Sequence, residues 1–111
     1  MTDYQDLISR LEKAKGPNYA LDKEIWDLVV EPFPESYRLK PPAYTASLDA
    51  AVGLVPEKAK KWSVSGGLDG KWGATVDLGF SHGLVGADFK GHTPAIALCI
   101  ACLKARHHSA S

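Results

Sequence analysis

The sequence predicts a mixed α/β fold of the α+β kind: a three-layer α-β-α sandwich in which helices cover both faces of a small antiparallel sheet. Three observations predict it. Apolar residues in the first half recur at helical spacing between capping residues and helix breakers. Residues 62–65 and 72–78 then switch to period-two alternation about a turn at 68–71, and residues 66–91 hold eight of the 10 glycines. Finally, residues 95–103 are apolar on every side and follow a Thr-Pro helix start, which marks a buried helix. The element order is α-α-α-β-β-(β)-α, a stable layer solution for one core.

The first helix is expected over residues 3–15. Thr2 and Gln5 have capping-box spacing, and Asp3 and Asp6 lie at the positive end of the helix dipole. Tyr4, Leu7, Ile8 and Leu11 form one apolar stripe, and Gly16-Pro17 ends the helix. A second helix is capped by Asn18 and buries Leu21, Ile25, Leu28 and Val29 with Trp26 beside them. It ends near Val30, because the residue before Pro32 is pushed out of helical geometry.

Residues 31–44 contain four prolines interleaved with Phe33, Tyr37, Leu39 and Tyr44. This connection is expected to pack across the domain, since a solvated linker needs no such side chains. A short third helix is capped by Thr45 or Ser47, carries Leu48, Ala51, Val52 and Val55, and ends at Pro56.

The hairpin register follows from its side chains. A two-residue loop on Asp69-Gly70 would set Trp62 against Asp77, an apolar face against a polar one. An odd loop centred on Gly70 pairs Trp62 with Leu78 and Val64 with Val76, and is preferred. Trp62 and Trp72 then share the core face. A third short strand is expected over residues 84–89. In the last helix Thr93 is the N-cap and Pro94 the first helical residue; residues 107–111 are expected to fray.

Composition narrows the functional classes. The chain has 111 residues, 13 basic and 13 acidic, which reads as one domain over 1–111. The balance is also local, with nine Lys/Arg against ten Asp/Glu in residues 1–61, so a broad basic face for duplex nucleic acid is not expected. The longest apolar run is nine residues, against roughly 20 for a bilayer span, and the acidic start lacks a signal-peptide core. No membrane association and a cytoplasmic location are expected.

Several blocks resemble a known family. They are Pro41-Pro42-Ala43-Tyr44-Thr45-Ala46-Ser47-Leu48-Asp49-Ala50-Ala51, Leu54-Val55-Pro56, Trp62, and Thr93-Pro94 through Ala105. With Leu7-Ile8-Ser9-Arg10-Leu11 and Leu21-Asp22, they resemble the phage α-β-α sandwich domain, a family of small bacteriophage and prophage proteins. The resemblance covers most of the chain, with residues 66–91 the most divergent. It implies the sandwich fold and a phage or prophage origin in a bacterial cytoplasm, and it brings no catalytic residues.

Each candidate for chemistry competes with a structural role. Cys99-x-x-Cys102 has redox spacing, yet both cysteines stand inside an apolar helical run, where they read as buried small hydrophobes. His92 and His107 lie at opposite ends of one helix, roughly 20 Å apart at 1.5 Å per residue, so they cannot share a metal; His107-His108 reads as a solvated tail. No metal and no cofactor are expected. Ser81, His82, Asp88, Lys90 and His92 sit in the Gly-rich segment, where His82 could act as a base, with Asp88 and His92 as companions. No nucleophile elbow, P-loop or carboxylate pair accompanies them. Lys58, Lys60, Lys61 and Lys71 flank Trp62 and Trp72, a combination that can bind single-stranded nucleic acid through phosphates and stacking.

The reading that follows is a non-enzymatic phage-type accessory protein acting through protein contacts or self-association, such as a homodimer. A nucleic-acid-binding protein using Lys58, Lys60, Lys61 and Lys71 is the alternative. A small enzyme with its site in residues 81–92 is the third.

Overall fold

The computed structural model describes residues 4–29, 43–55, 61–66, 70–77, 84–86 and 91–110. They form helices α1 (Tyr4–Lys13), α2 (Tyr19–Val29), α3 (Leu48–Val52) and α4 (Pro94–Ala110), and strands β1 (Lys61–Gly66), β2 (Trp72–Asp77) and β3 (Leu84–Gly86). The sheet is antiparallel in the order β1-β2-β3. The fold is therefore mixed α+β.

Local chemistry sets the element ends. Asn18 Oδ1 accepts from the Leu21 amide (3.1 Å), Ser47 Oγ from Ala50 (3.3 Å) and Thr93 Oγ1 from Ile96 (3.1 Å). Each is an N-cap satisfying an amide that the helix leaves without a partner. Ser47, not Thr45, caps α3. The N-terminal capping box and residues 31–42 of the proline-rich connection lie outside the described residues. The C-terminal tail differs from expectation: α4 continues through His107-His108 to Ala110. In that stretch His107 packs on Tyr4 of α1 with ring centroids 5.7 Å apart.

Helix α4 is the centre of the molecule. Residues 95–103 and Ala105 are all buried. The helix contacts all three strands, α1 and α3, which explains why its apolar residues run all the way round. Leu7 and Leu11 of α1, Ile25 of α2, Leu54 after α3 and Val76 of β2 complete the core. Among the described residues, α4 is the one helix that touches the sheet, so the layers run sheet, α4, then α1 and α3. The expected helix layer on the other face is not found among them. On β1 and β2 that face carries Lys61, Ser63, Ser65, Thr75 and Asp77, which form no apolar stripe; Leu84 of β3, opposite Asp77, is the apolar residue at its far side.

The hairpin register also differs from expectation, by two residues. Trp62 stands opposite Val76, Val64 opposite Ala74, and Gly66 opposite Trp72. The connection is odd in length, residues 67–71, but is not centred on Gly70. Gly70 instead supplies the left-handed backbone of the turn, at φ 75°. A two-residue shift leaves every side chain on its expected face, which is why the alternation alone could not resolve it. The third strand is the shorter Leu84–Gly86; residues 87–90 are not described. Beyond them Gly91 exchanges two backbone hydrogen bonds with Trp72, from the Trp72 amide (2.6 Å) and from its own amide (3.1 Å).

Candidate functional site

Of the sequence candidates for a nucleic-acid or catalytic site, Lys61, Lys71 and His92 lie among the described residues. Lys58, Lys60, Ser81, His82, Asp88 and Lys90 lie outside the described residues. Lys61 and Lys71 are both exposed, but Lys61 stands opposite Asp77 at one end of the hairpin and Lys71 adjoins Trp72 at the other. Five residues of strand, roughly 17 Å at 3.3 Å per residue, separate those ends. Half-buried His92 adjoins the N-cap of α4. Among the described residues, no group of three or more His, Cys, Asp or Glu is placed to hold a metal ion.

The cysteines are walled in. Cys99 and Cys102 are free thiols, fully buried, and Cys99 Sγ donates to the Tyr44 carbonyl oxygen at 3.3 Å. Burial, with neighbouring Cys102 and Asp22 adding to it, holds the Cys99 thiol well above its ordinary range. Burial pushes Cys102 up to about 12, against a smaller opposing pull from Arg106. A thiol kept protonated and covered is neither a nucleophile nor a redox partner. Both side chains fill space in α4.

A polar lock joins α2 to the turn before α3. The Thr45 amide and hydroxyl both donate to Asp22 Oδ1, each at 2.8 Å, and the Asn18 amide donates to Thr45 Oγ1 at 2.7 Å. Thr45 and Asp22 are both buried. Nearby, the Arg106 guanidinium donates through Nε to the Leu54 carbonyl at 2.8 Å. These bonds satisfy buried polar groups and tie helices together; none of them leaves a reactive atom open to a substrate.

Two surfaces stand out among the described residues. One is an open groove of about 310 Å³ between α1 and the end of α4, lined by Gln5, Ile8, Ser9, Glu12, Lys104 and His107. These residues come from the two ends of the chain, so no local sequence pattern could have announced them. The other is the outer edge of β1. Its residues Lys61, Trp62, Ser63, Ser65 and Gly66 are exposed and only Val64 is half-buried. Trp62, which the sequence placed in the core, is 39% exposed, whereas Trp72 on the same face is half-buried and packs against the core. The difference is position. β2 is central in the sheet and β1 is at its edge, so α4 covers one indole and leaves the other.

The direction of the edge groups follows from the pairing. Trp72 spends both backbone groups on Gly91, so they point away from β1. In an antiparallel ladder these directions alternate along each strand. Gly66, Val64 and Trp62, opposite Trp72, Ala74 and Val76, therefore direct their own amides and carbonyls to the outer edge, which no other described strand pairs. The residues that present the edge hydrogen bonds also carry the apolar side of the sheet.

No family model, no curated protein and no solved structure matches this chain. What it can do rests on this geometry. Three amides and three carbonyls lie in a row beside an exposed indole, and the ladder behind them is unbroken from Lys61 to Gly66. Among the described helices, none is long and apolar enough to cross a membrane.

Proposed function

We propose that this protein is a non-enzymatic accessory protein that works by protein contact, accepting an extended strand of a protein partner along the outer edge of β1. One observation carries the reading. β1 is an exposed, regular edge strand with no bulge and no proline within it, and with a single charged residue, Lys61, at its start. Natural proteins protect free edges with prolines, bulges and inward charges, because an unprotected edge pairs with other chains. Strand addition takes affinity from main-chain hydrogen bonds and specificity from alternate side chains. Here Trp62 is the anchor, an exposed aromatic of the kind that dominates interface energetics.

The blocks at residues 41–51 and 93–105 support a phage or prophage setting in a bacterial cytoplasm, through their resemblance to the phage α-β-α sandwich domain. The buried thiols support contact over redox catalysis, and the separation of Lys61 from Lys71 along the hairpin supports contact over nucleic-acid binding.

The test is site-specific photo-crosslinking in the full chain. A photoreactive side chain at Ser63 should give a discrete protein adduct that disappears in a Trp62→Pro background. The same group at Ser9 on α1 should give none. A position-63 probe that forms no protein adduct, or adducts indifferent to Trp62→Pro, would refute the reading.

A further inference from the structure

The edge has a further property: it is complementary to itself. We infer that the strand received by β1 is β1 of a second copy of this chain, paired antiparallel about a two-fold axis through Val64. The inference rests on the edge reading above and names its partner.

Hydrogen bonding restricts the register first. Only Trp62, Val64 and Gly66 direct backbone groups outward, so each must face one of the same three residues on the other copy. That requirement excludes every register centred between two residues. Those same registers would also set the apolar face against the polar one. Among the residue-centred registers, the one on Val64 satisfies all the outward groups of both strands. Trp62 pairs with Gly66 of the second copy, Val64 with its equivalent, and Gly66 with the second Trp62.

Side-chain shape selects the same register. The largest side chain of the strand and the residue without one stand symmetrically about Val64, two positions before and two after. Gly66 already accepts an aromatic ring from the other side: a Cβ there would lie 3.4 Å from the Trp72 indole. Pairing brings a second indole to the same glycine, making a Trp72-Gly66-Trp62 row on the apolar side at each end of the interface. On the polar side Ser63 faces Ser65 of the second copy, a hydroxyl pair of the kind that favours strand association. Lys61 of each copy falls at opposite ends, so no like charges meet. The product is a continuous six-stranded sheet, β3-β2-β1-β1-β2-β3, with both α4 helices on one side. Such a closed, isologous contact leaves no free β1 edge for a third chain. Two six-residue strands form a small interface, so dimerisation should depend on concentration within the working range.

The test is sedimentation of the full chain over a wide concentration range, with two exposed-surface variants. The wild type should pass from one chain mass to two. Ser63→Lys with Ser65→Lys sets two like-charge pairs across the axis and should weaken the dimer roughly tenfold or more. Ser63→Lys with Ser65→Glu sets two opposite-charge pairs in this register and should keep the dimer. Circular dichroism should show both variants folded, since neither position faces the core. A wild type that stays at one chain mass, or a dimer equally indifferent to both variants, would overturn the inference. So would loss of the dimer in the variant carrying one lysine and one glutamate, because a two-fold through Ser63 would set the introduced lysine against its own copy. A position-63 adduct with a different protein would overturn the second copy as partner while leaving the edge as the contact site; absence of any adduct removes both.

Discussion

Gly91 and Ala97 are in van der Waals contact across the start of α4. A Cβ built on Gly91 would lie 2.6 Å from the Ala97 Cα and 2.7 Å from its amide nitrogen. The obstacle is backbone, so no rotamer change can relieve it. Gly91 also holds the end of the sheet, through its two bonds to Trp72. The strand and the central helix are thus joined at a point where only hydrogen fits.

Gly91→Ala should therefore destabilise the fold by about 3 kcal/mol, the upper part of the range for overpacking. Urea denaturation measures this directly. Gly16→Ala is the control: nothing lies within 4 Å of a Cβ at that position, and the change should be close to neutral.

Thr45→Val keeps the shape of the side chain and removes the hydroxyl that links Asp22 and Asn18. It leaves a buried carboxylate oxygen with one donor fewer, at a cost of about 2 kcal/mol. Thr45→Ser should retain most of the stability, since the hydroxyl stays. The comparison separates the hydrogen bond from the packing.

The two tryptophans should behave differently despite sharing a face. Trp72→Ala removes a ring packed on the core and on Gly66, and should cost about 3 kcal/mol. Trp62→Ala removes an exposed ring and should cost about 1 kcal/mol in monomer stability while abolishing association. Denaturation below the dimerisation range, set beside sedimentation, distinguishes the two effects.

The thiols supply a pH prediction. Cys102 titrates at about 12 when folded against an ordinary 9.0, so its protonated form favours the native state. That contribution is complete below pH 9 and is lost as pH rises towards about 12. The slope is about 1.4 kcal/mol per pH unit for each such group. Burial raises Cys99 and Tyr44 in the same direction, which steepens the fall. Urea midpoints at pH 7, 9 and 11 check it, and Cys102→Ala should show the shallower slope. At pH 8 the native protein should resist alkylation that the unfolded chain accepts.

The hairpin shows how far the sequence reaches. Alternation placed Trp62, Val64, Ala74 and Val76 on one face, because a strand's side chains point to opposite sides in turn and a slip of one residue would invert them all. The actual pairing, Trp62 with Val76, was a matter for the loop, since a slip of two preserves every face. The caps at Asn18 and Thr93 and the burial of residues 95–103 were equally legible, being local chemistry or unbroken apolarity. Thr45 was not. As a sequence it is a plausible cap, and only the approach of α2 turns it into the partner of Asp22.

Local order and inward-facing residues are thus determined by the sequence, through helical and strand periods that each segment carries by itself. The tertiary structure decided the rest: that, among the described helices, the packing on the sheet falls to α4, that β1 is left at the edge with Trp62 uncovered, and that Lys61 and Lys71 part company. Those are relations between segments distant along the chain. Such relations arise only when the whole core closes, so no single segment contains them.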